Sequence, residues 1–266
     1  MRASNPGLHP VIDSTDDDLM RVERFAPRIW LVMLACWLVP AAADAQWHFA
    51  VYMGGNHTPP ADIQVVDPTT DTNVTYSKVG FDAEPFKAPQ YYGWRFGRGL
   101  TKERRLGVEL EFTHLKVLAR TDALISVTGH ADGAVVNGLQ RMSARVQRYS
   151  MSHGLNFILI NLTSRMPLGW GGDGRTTLVL RGGAGPTLPH AETQVNGVSR
   201  EQYEWAGLGG NGGAGVEIRL APRLAATVDY KVTYAKPTIT IAGGGTGQTT
   251  ALSHHLAVGV VLRLQR

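Results

Sequence analysis

The sequence predicts an all-β chain, an eight-stranded antiparallel up-and-down transmembrane β-barrel. Three observations predict it. A leader with the tripartite pattern of a secretory signal lies near the N-terminus. Beyond it, apolar and polar residues alternate with period two in blocks of about ten residues, the signature of barrel strands. The connectors between blocks alternate short and long, as periplasmic turns and outer loops do.

The leader occupies residues 28–45, RIWLVMLACWLVPAAADA. Its apolar core, Ile29 to Val39, falls short of the ~20 residues a spanning helix needs. Arg21, Arg24 and Arg28 supply the positive flank, and Ala43-Asp44-Ala45 fits the A-x-A cleavage rule. The expected division is therefore an N-terminal extension and signal peptide over 1–45 and a barrel over 46–266. Asp16, Asp17 and Asp18 suit a signal poorly, and a start at Met20 would give one of ordinary length. Cys36, the single cysteine, excludes a disulfide framework and a thiolate metal cluster. Its departure with the leader suits an oxidising compartment.

The strands follow in order. The first sets Trp47, Phe49, Val51 and Met53 on one face. The second sets Tyr92, Trp94 and Phe96 opposite Arg95, and the third Leu106, Val108, Leu110 and Phe112 opposite Glu109 and Glu111. The fourth runs over about 146–165, the fifth over 177–188 and the sixth over 205–220. The seventh sets Ala226, Val228, Tyr230, Val232 and Tyr234 against Thr227, Asp229, Lys231 and Thr233. The eighth sets Leu256, Val258, Val260, Leu262 and Leu264 against His255 and Arg263. Short connectors cover 99–105, 166–175 and 221–223; long ones cover 56–89, 119–145, 190–204 and 236–251. Eight strands enclose side chains and no water channel. Arg95, Glu109, Glu111, Asp229, Lys231 and Arg263 are therefore expected to pack as a charge-paired lumen. The soluble alternative, a lipocalin-like or sandwich fold, would turn the apolar face inward.

Composition narrows the function. A mean hydropathy of −0.11 excludes a polytopic helical membrane protein. The net charge of +4 is scattered, whereas a nucleic-acid binder clusters its charge. Gly207-Leu-Gly209-Gly-Asn-Gly212 has dinucleotide-site spacing, but a strand pattern follows it where that site needs a helix. Residues 243–250 look faintly like a phosphate loop, yet Gln248 stands where the lysine belongs; the segment reads as a flexible outer loop.

Eight histidines follow residue 46, and three stand out. His114 ends the third strand, His153 opens the fourth and His190 ends the fifth. Neighbouring strands lie about 4.8 Å apart, so three histidines at similar height can converge on one metal, with Glu111 or Glu192 as ligand or base. Alternation groups His114 with Leu110 and Phe112, His153 with Leu155 and Phe157, and His190 with Leu180 and Leu188, which are read as lipid-facing sets. Either a bulge at Pro186 or Pro189 turns His190 inward, or all three face outward at the level of the headgroups. A histidine in such a place is also commonly no more than a solvated polar residue.

Three segments carry a resemblance. Gly107-Val-Glu-Leu-Glu-Phe-Thr-His-Leu-Lys-Val117, Ser152-His-Gly-Leu-Asn156 with Asn161, and Gly182-Gly-Ala-Gly-Pro-Thr-Leu-Pro-His190 resemble the lipid A oxidases, within the outer-membrane β-barrel-domain superfamily. The resemblance covers essentially all of 46–266. It implies an outer-membrane enzyme of a Gram-negative bacterium that oxidises the proximal glucosamine of lipid A to aminogluconate with molecular oxygen. Triplet oxygen reacts slowly with a closed-shell sugar, and no nucleotide motif is present, so a divalent transition metal such as iron or copper is expected. The expected metal ligands are His114, His153 and His190; the expected catalytic residues are Glu111, His114, His153 and Glu192. Lys116 and Arg120 are expected to meet the lipid A phosphates. The expected partners are outer-membrane lipid and, during biogenesis, the barrel assembly machinery. Two alternatives stay open: a non-enzymatic structural or adhesive barrel, and a lipid A deacylase using Ser152 and His153.

Overall fold

A computed structural model describes residues 47–101, 103–169 and 175–264. The leader and residues 170–174 of the turn expected over 166–175 lie outside those residues. The described strands are β1 (Trp47–His57), β2 (Ala61–Asp67), β3 (Thr72–Val79), β4 (Phe81–Asp82), β5 (Tyr92–Gly99), β6 (Leu106–Ala119), β7 (Leu124–Ala131), β8 (Ala134–Arg141), β9 (Val146–Leu168), β10 (Thr176–Val195), β11 (Val198–Tyr203), β12 (Leu208–Ala221), β13 (Leu224–Ala235), β14 (Thr238–Thr240), β15 (Thr246–Thr249) and β16 (Ala251–Leu264).

Eight of these close a barrel in the order β1, β5, β6, β9, β10, β12, β13, β16 and back to β1, every pair antiparallel. Closure leaves no unpaired edge, which a sheet in lipid requires. The outward residues form an apolar belt: Leu162 is 68% exposed and Leu256 61%. Such exposure would be costly in water and is favourable against acyl chains. Trp47 stacks on Phe96 at the short-turn rim, with centroids 5.0 Å apart, as in an interfacial girdle. The belt and the closed ladder make this an outer-membrane barrel.

The inward face is charged and filled. Glu111 receives Arg95 Nε at 3.0 Å, Lys231 Nζ at 2.9 Å and the Tyr52 hydroxyl at 2.7 Å on one oxygen. The amides of Asn161 and Asn211 donate to its other oxygen at 2.6 and 2.9 Å. Below this, Arg181 bridges Glu109 at 2.9 Å and Asp229 at 2.6 Å, and Arg165 reaches Glu217 at 2.8 Å. The expected charge-paired lumen is present. Arg165, Arg181 and Glu217 join it as members that the alternation left unassigned.

Two expectations need correction. Leu155 and Phe157 point inward and are fully buried, while Ile158, Ile160 and Leu162 take the outer face of β9. The run Phe157-Ile-Leu-Ile160 is apolar at every position, so it carries no period from which to read a face. The long connectors are also not plain loops. β2, β3, β7, β8, β14 and β15 form a second, six-stranded sheet above the outer rim. Ile63, Val65, Val74 and Tyr76 of that sheet join one apolar core with Leu115, Tyr149, Met151 and Leu155 of the extended barrel strands. The segment over 243–250, expected to be flexible, contributes β15; a Cβ on Gly247 would lie 2.5 Å from the Tyr149 ring, so glycine is what lets the two surfaces meet.

Glu111→Ala should strand Arg95 and Lys231 in a sealed interior. The expected loss is about 3–5 kcal/mol of unfolding free energy, the usual penalty for an orphaned buried charge. Equilibrium unfolding in urea with lipid vesicles measures it, and wild-type stability in the variant would show that the network does not hold the barrel.

Candidate functional site

The candidate site is created by an irregularity in β9. Against β6, Leu115 pairs with Leu155 and Val117 with Met151, so β9 uses four residues where β6 uses two. Against β10, Pro189 pairs with Leu155 and Glu192 with Ser150. The surplus lies at Ser152, His153 and Gly154, forming a bulge that re-aims side chains. Gly154 has φ +108°, and a Cβ there would lie 2.3 Å from His114 Nδ1. Only glycine serves at that position.

The bulge brings Ser152 and His153 against Glu192 of β10. His153 Nδ1 lies 2.8 Å from Glu192 Oε1, the Ser152 hydroxyl donates to the same oxygen, and Arg148 pairs with Oε2 at 3.2 Å. His190 lies edge-on to His153, with ring centroids 4.7 Å apart, and on its other side against Tyr203 at 4.3 Å. Its Nε2 is 3.4 Å from Glu201 Oε1 on β11. One donor atom from each of His153, His190, Glu192 and Glu201 lies within 4.8 Å of the other three. Nδ1 of buried His190 has no hydrogen-bond partner. Two imidazoles and two carboxylates suit a first-row divalent metal, and the unpartnered nitrogen is free to serve as one of its ligands. Glu192 sits above the apolar belt. Burial raises its pKa, but the hydrogen bonds from Ser152 and His153 outweigh this and hold it below the ordinary carboxylate value.

Of the residues expected from sequence, His153, His190 and Glu192 come together. His114 does not join them. Its Nδ1 donates to Asn156 Oδ1 at 2.9 Å, and its ring stacks on Tyr92 at 5.0 Å. Glu111 belongs to the lumen network described above. Glu201 was not foreseen. It reaches the site because β11 folds back on β10 with Glu201 opposite Glu192 and Tyr203 opposite His190, a register hidden while 190–204 read as a loop.

Beside the cluster is a cleft of about 390 Å³ between the 84–89 loop, Lys116, Arg148, His153 and Glu192. Lys116 lines it but spends two hydrogen bonds on the carbonyls of Lys87 and Ala88, at 2.9 and 3.1 Å. Arg120 is tied to Asp82 and is not part of the lining. Acyl transfer would need Ser152 and Glu192 on opposite nitrogens of His153. Both contact Nδ1, so the geometry favours a metal over a hydrolytic triad.

No family model matches the chain, and no curated protein does. Solved structures similar to it include Neisserial surface protein A, at 11% identity and TM-score 0.38 over 83% of this chain and 99% of that one. OprG from Pseudomonas aeruginosa gives 12% identity and TM-score 0.43 over 84% and 95%. Outer membrane protein AlkL gives 11% and 0.40 over 84% and 92%. These likenesses assign no activity.

Alanine in place of His153, His190 or Glu192 should each weaken binding of iron(II) or cobalt(II) to the purified barrel by at least about tenfold, the lower bound seen even for outer-shell changes. Glu201→Gln should weaken it as well, and His114→Ala should not. Calorimetric titration measures this; equal affinity in all variants would exclude the cluster as a metal site.

Proposed function

We propose that the protein is an outer-membrane enzyme that oxidises the proximal glucosamine of lipid A to aminogluconate, with a divalent metal held by His153, His190, Glu192 and Glu201. The observation that carries this reading is where the donor set lies. It sits just above the apolar belt, beside a cleft rimmed by Lys87, Lys116 and Arg148, cations of the kind that would receive a sugar phosphate. The resemblance of 107–117, 152–156 and 182–190 to the lipid A oxidases points the same way. On a proximal glucosamine whose anomeric hydroxyl is free of phosphate, the reaction removes two electrons and two protons from the hemiacetal C–H and O–H; oxygen accepts them and leaves as hydrogen peroxide, and water opens the resulting lactone to the acid. A bound metal would supply the route by which triplet oxygen takes electrons singly. The protein's own groups hold the headgroup. The exposed Arg148 faces an anionic sugar phosphate, and Glu192 is the carboxylate placed to accept the anomeric hydroxyl proton. In this reading the barrel assembly machinery delivers the chain to the same leaflet that holds its substrate.

A second reading, a non-enzymatic adhesive barrel, is favoured by the outer sheet. Its edge strand β8 is almost wholly exposed, with Val135 at 87%.

Mass spectrometry of lipid A with a free anomeric hydroxyl, incubated with the iron-loaded protein, separates the two. Oxidation adds the mass of one oxygen atom under air and none under argon, and His190→Ala abolishes the gain. Unchanged lipid A from metal-loaded wild type under air would discard the oxidase reading in favour of the adhesive one.

A further inference from the structure

The 84–89 loop has a cavity on each side. One is the polar cleft already described. The other is an open groove of about 580 Å³ on the outer barrel wall, lined by Met53 and Gly55 of β1, Tyr230 of β13 and Leu256 and Val258 of β16, with Phe86 over it. Phe86 is 78% exposed, an orientation that suits an aromatic ring facing hydrocarbon. Met53, Leu256 and Val258 belong to the apolar belt, so the groove is continuous with the lipid-facing wall. Gly55 lies in its lining, and a Cβ there would stand 3.5 Å from Pro85, an ordinary contact.

The loop is a fixed partition. Lys116 holds the carbonyls of Lys87 and Ala88 from one side, and the Tyr91 amide donates to the Pro85 carbonyl at 2.8 Å. Consecutive residues thus serve opposite chemistries, with Phe86 over the apolar groove and Lys87 on the polar cleft. Lys87 Nζ pairs with Glu84 at 3.1 Å, an exposed pair of the kind that contributes little and yields readily to a phosphate.

We infer that the groove is an acyl-chain subsite: one fatty acyl chain of an anionic outer-leaflet glycolipid lies under Phe86 while its headgroup occupies the polar cleft. This rests on the reading of that cleft as a headgroup site, and it adds which part of the lipid is measured, and where. Gly55 and Phe86 then set which chain is accepted, without touching the metal cluster.

Native mass spectrometry from detergent tests it, with lipid A and fully deacylated lipid A as probes. Wild type should retain lipid A. Gly55→Leu, which fills the groove, and Phe86→Ala, which unroofs it, should each lower retention by about tenfold or more, as expected when several methylenes lose contact. Neither should change binding of the deacylated probe, and both should keep the heat-modifiable barrel. His190→Ala should retain lipid A as wild type does; groove-dependent retention by iron-loaded wild type under air with no gain in lipid mass would remove the oxidase reading and leave the subsite standing. Equal retention by wild type and Gly55→Leu, or no retention by wild type, would overturn the subsite.

Discussion

Everything in this molecule follows from one constraint: inside a bilayer every backbone N–H and C=O must find a protein partner. The chain meets it with eight strands closed on themselves, and eight is a number that leaves a lumen only as wide as side chains. Residues facing that lumen cannot be apolar on both sides of the sheet without losing the pattern that sets register. They are polar, they are sealed from water, and so they must saturate one another. Glu111, with five donors on its two oxygens, is the clearest case. A lumen so occupied is filled by side chains, and the outer wall and outer rim are where a ligand finds room.

At the outer rim the constraint is lifted, and the strands behave differently. β9 and β10 continue well past the belt, the connectors add a second sheet, and an apolar core grows between them. Here the hydrophobic effect works in its aqueous direction, with apolar groups inside and polar groups out. β9 therefore changes rule along its length. Ile160 and Leu162 face lipid outward, while Met151 and Leu155, on the opposite face, are buried under the outer sheet.

That change of rule explains what could be read in the sequence and what could not. The barrel strands were legible because Glu109 and Glu111, or Asp229 and Lys231, interrupt apolar runs at every second residue. The lumen pairs followed from the same alternation. The outer sheet was hidden because its strands are short and bounded by glycine and proline, so that 243–250 read as a loop. The faces of β9 were hidden by the unbroken Phe157-Ile-Leu-Ile160. In the candidate site, His153, His190 and Glu192 were found from their positions at strand ends. Glu201 depended on a hairpin register, and the separation of His114 depended on a bulge; neither leaves a mark in residue spacing.

The bulge also fixes the height of the site. Extra residues in a strand leave ladder groups without strand partners, a cost that hydrocarbon does not forgive and water does. An irregularity of the kind seen at Ser152–Gly154 is therefore confined to the region above the belt. The side chains that it re-aims, Ser152 and His153, come out against Glu192 of the neighbouring strand. The rule that closes the barrel thus also places the donor cluster. Below the belt edge the wall must be smooth and apolar, and the lumen is full. The first level at which a strand can bend a histidine toward a carboxylate on its neighbour is therefore the level just above the belt.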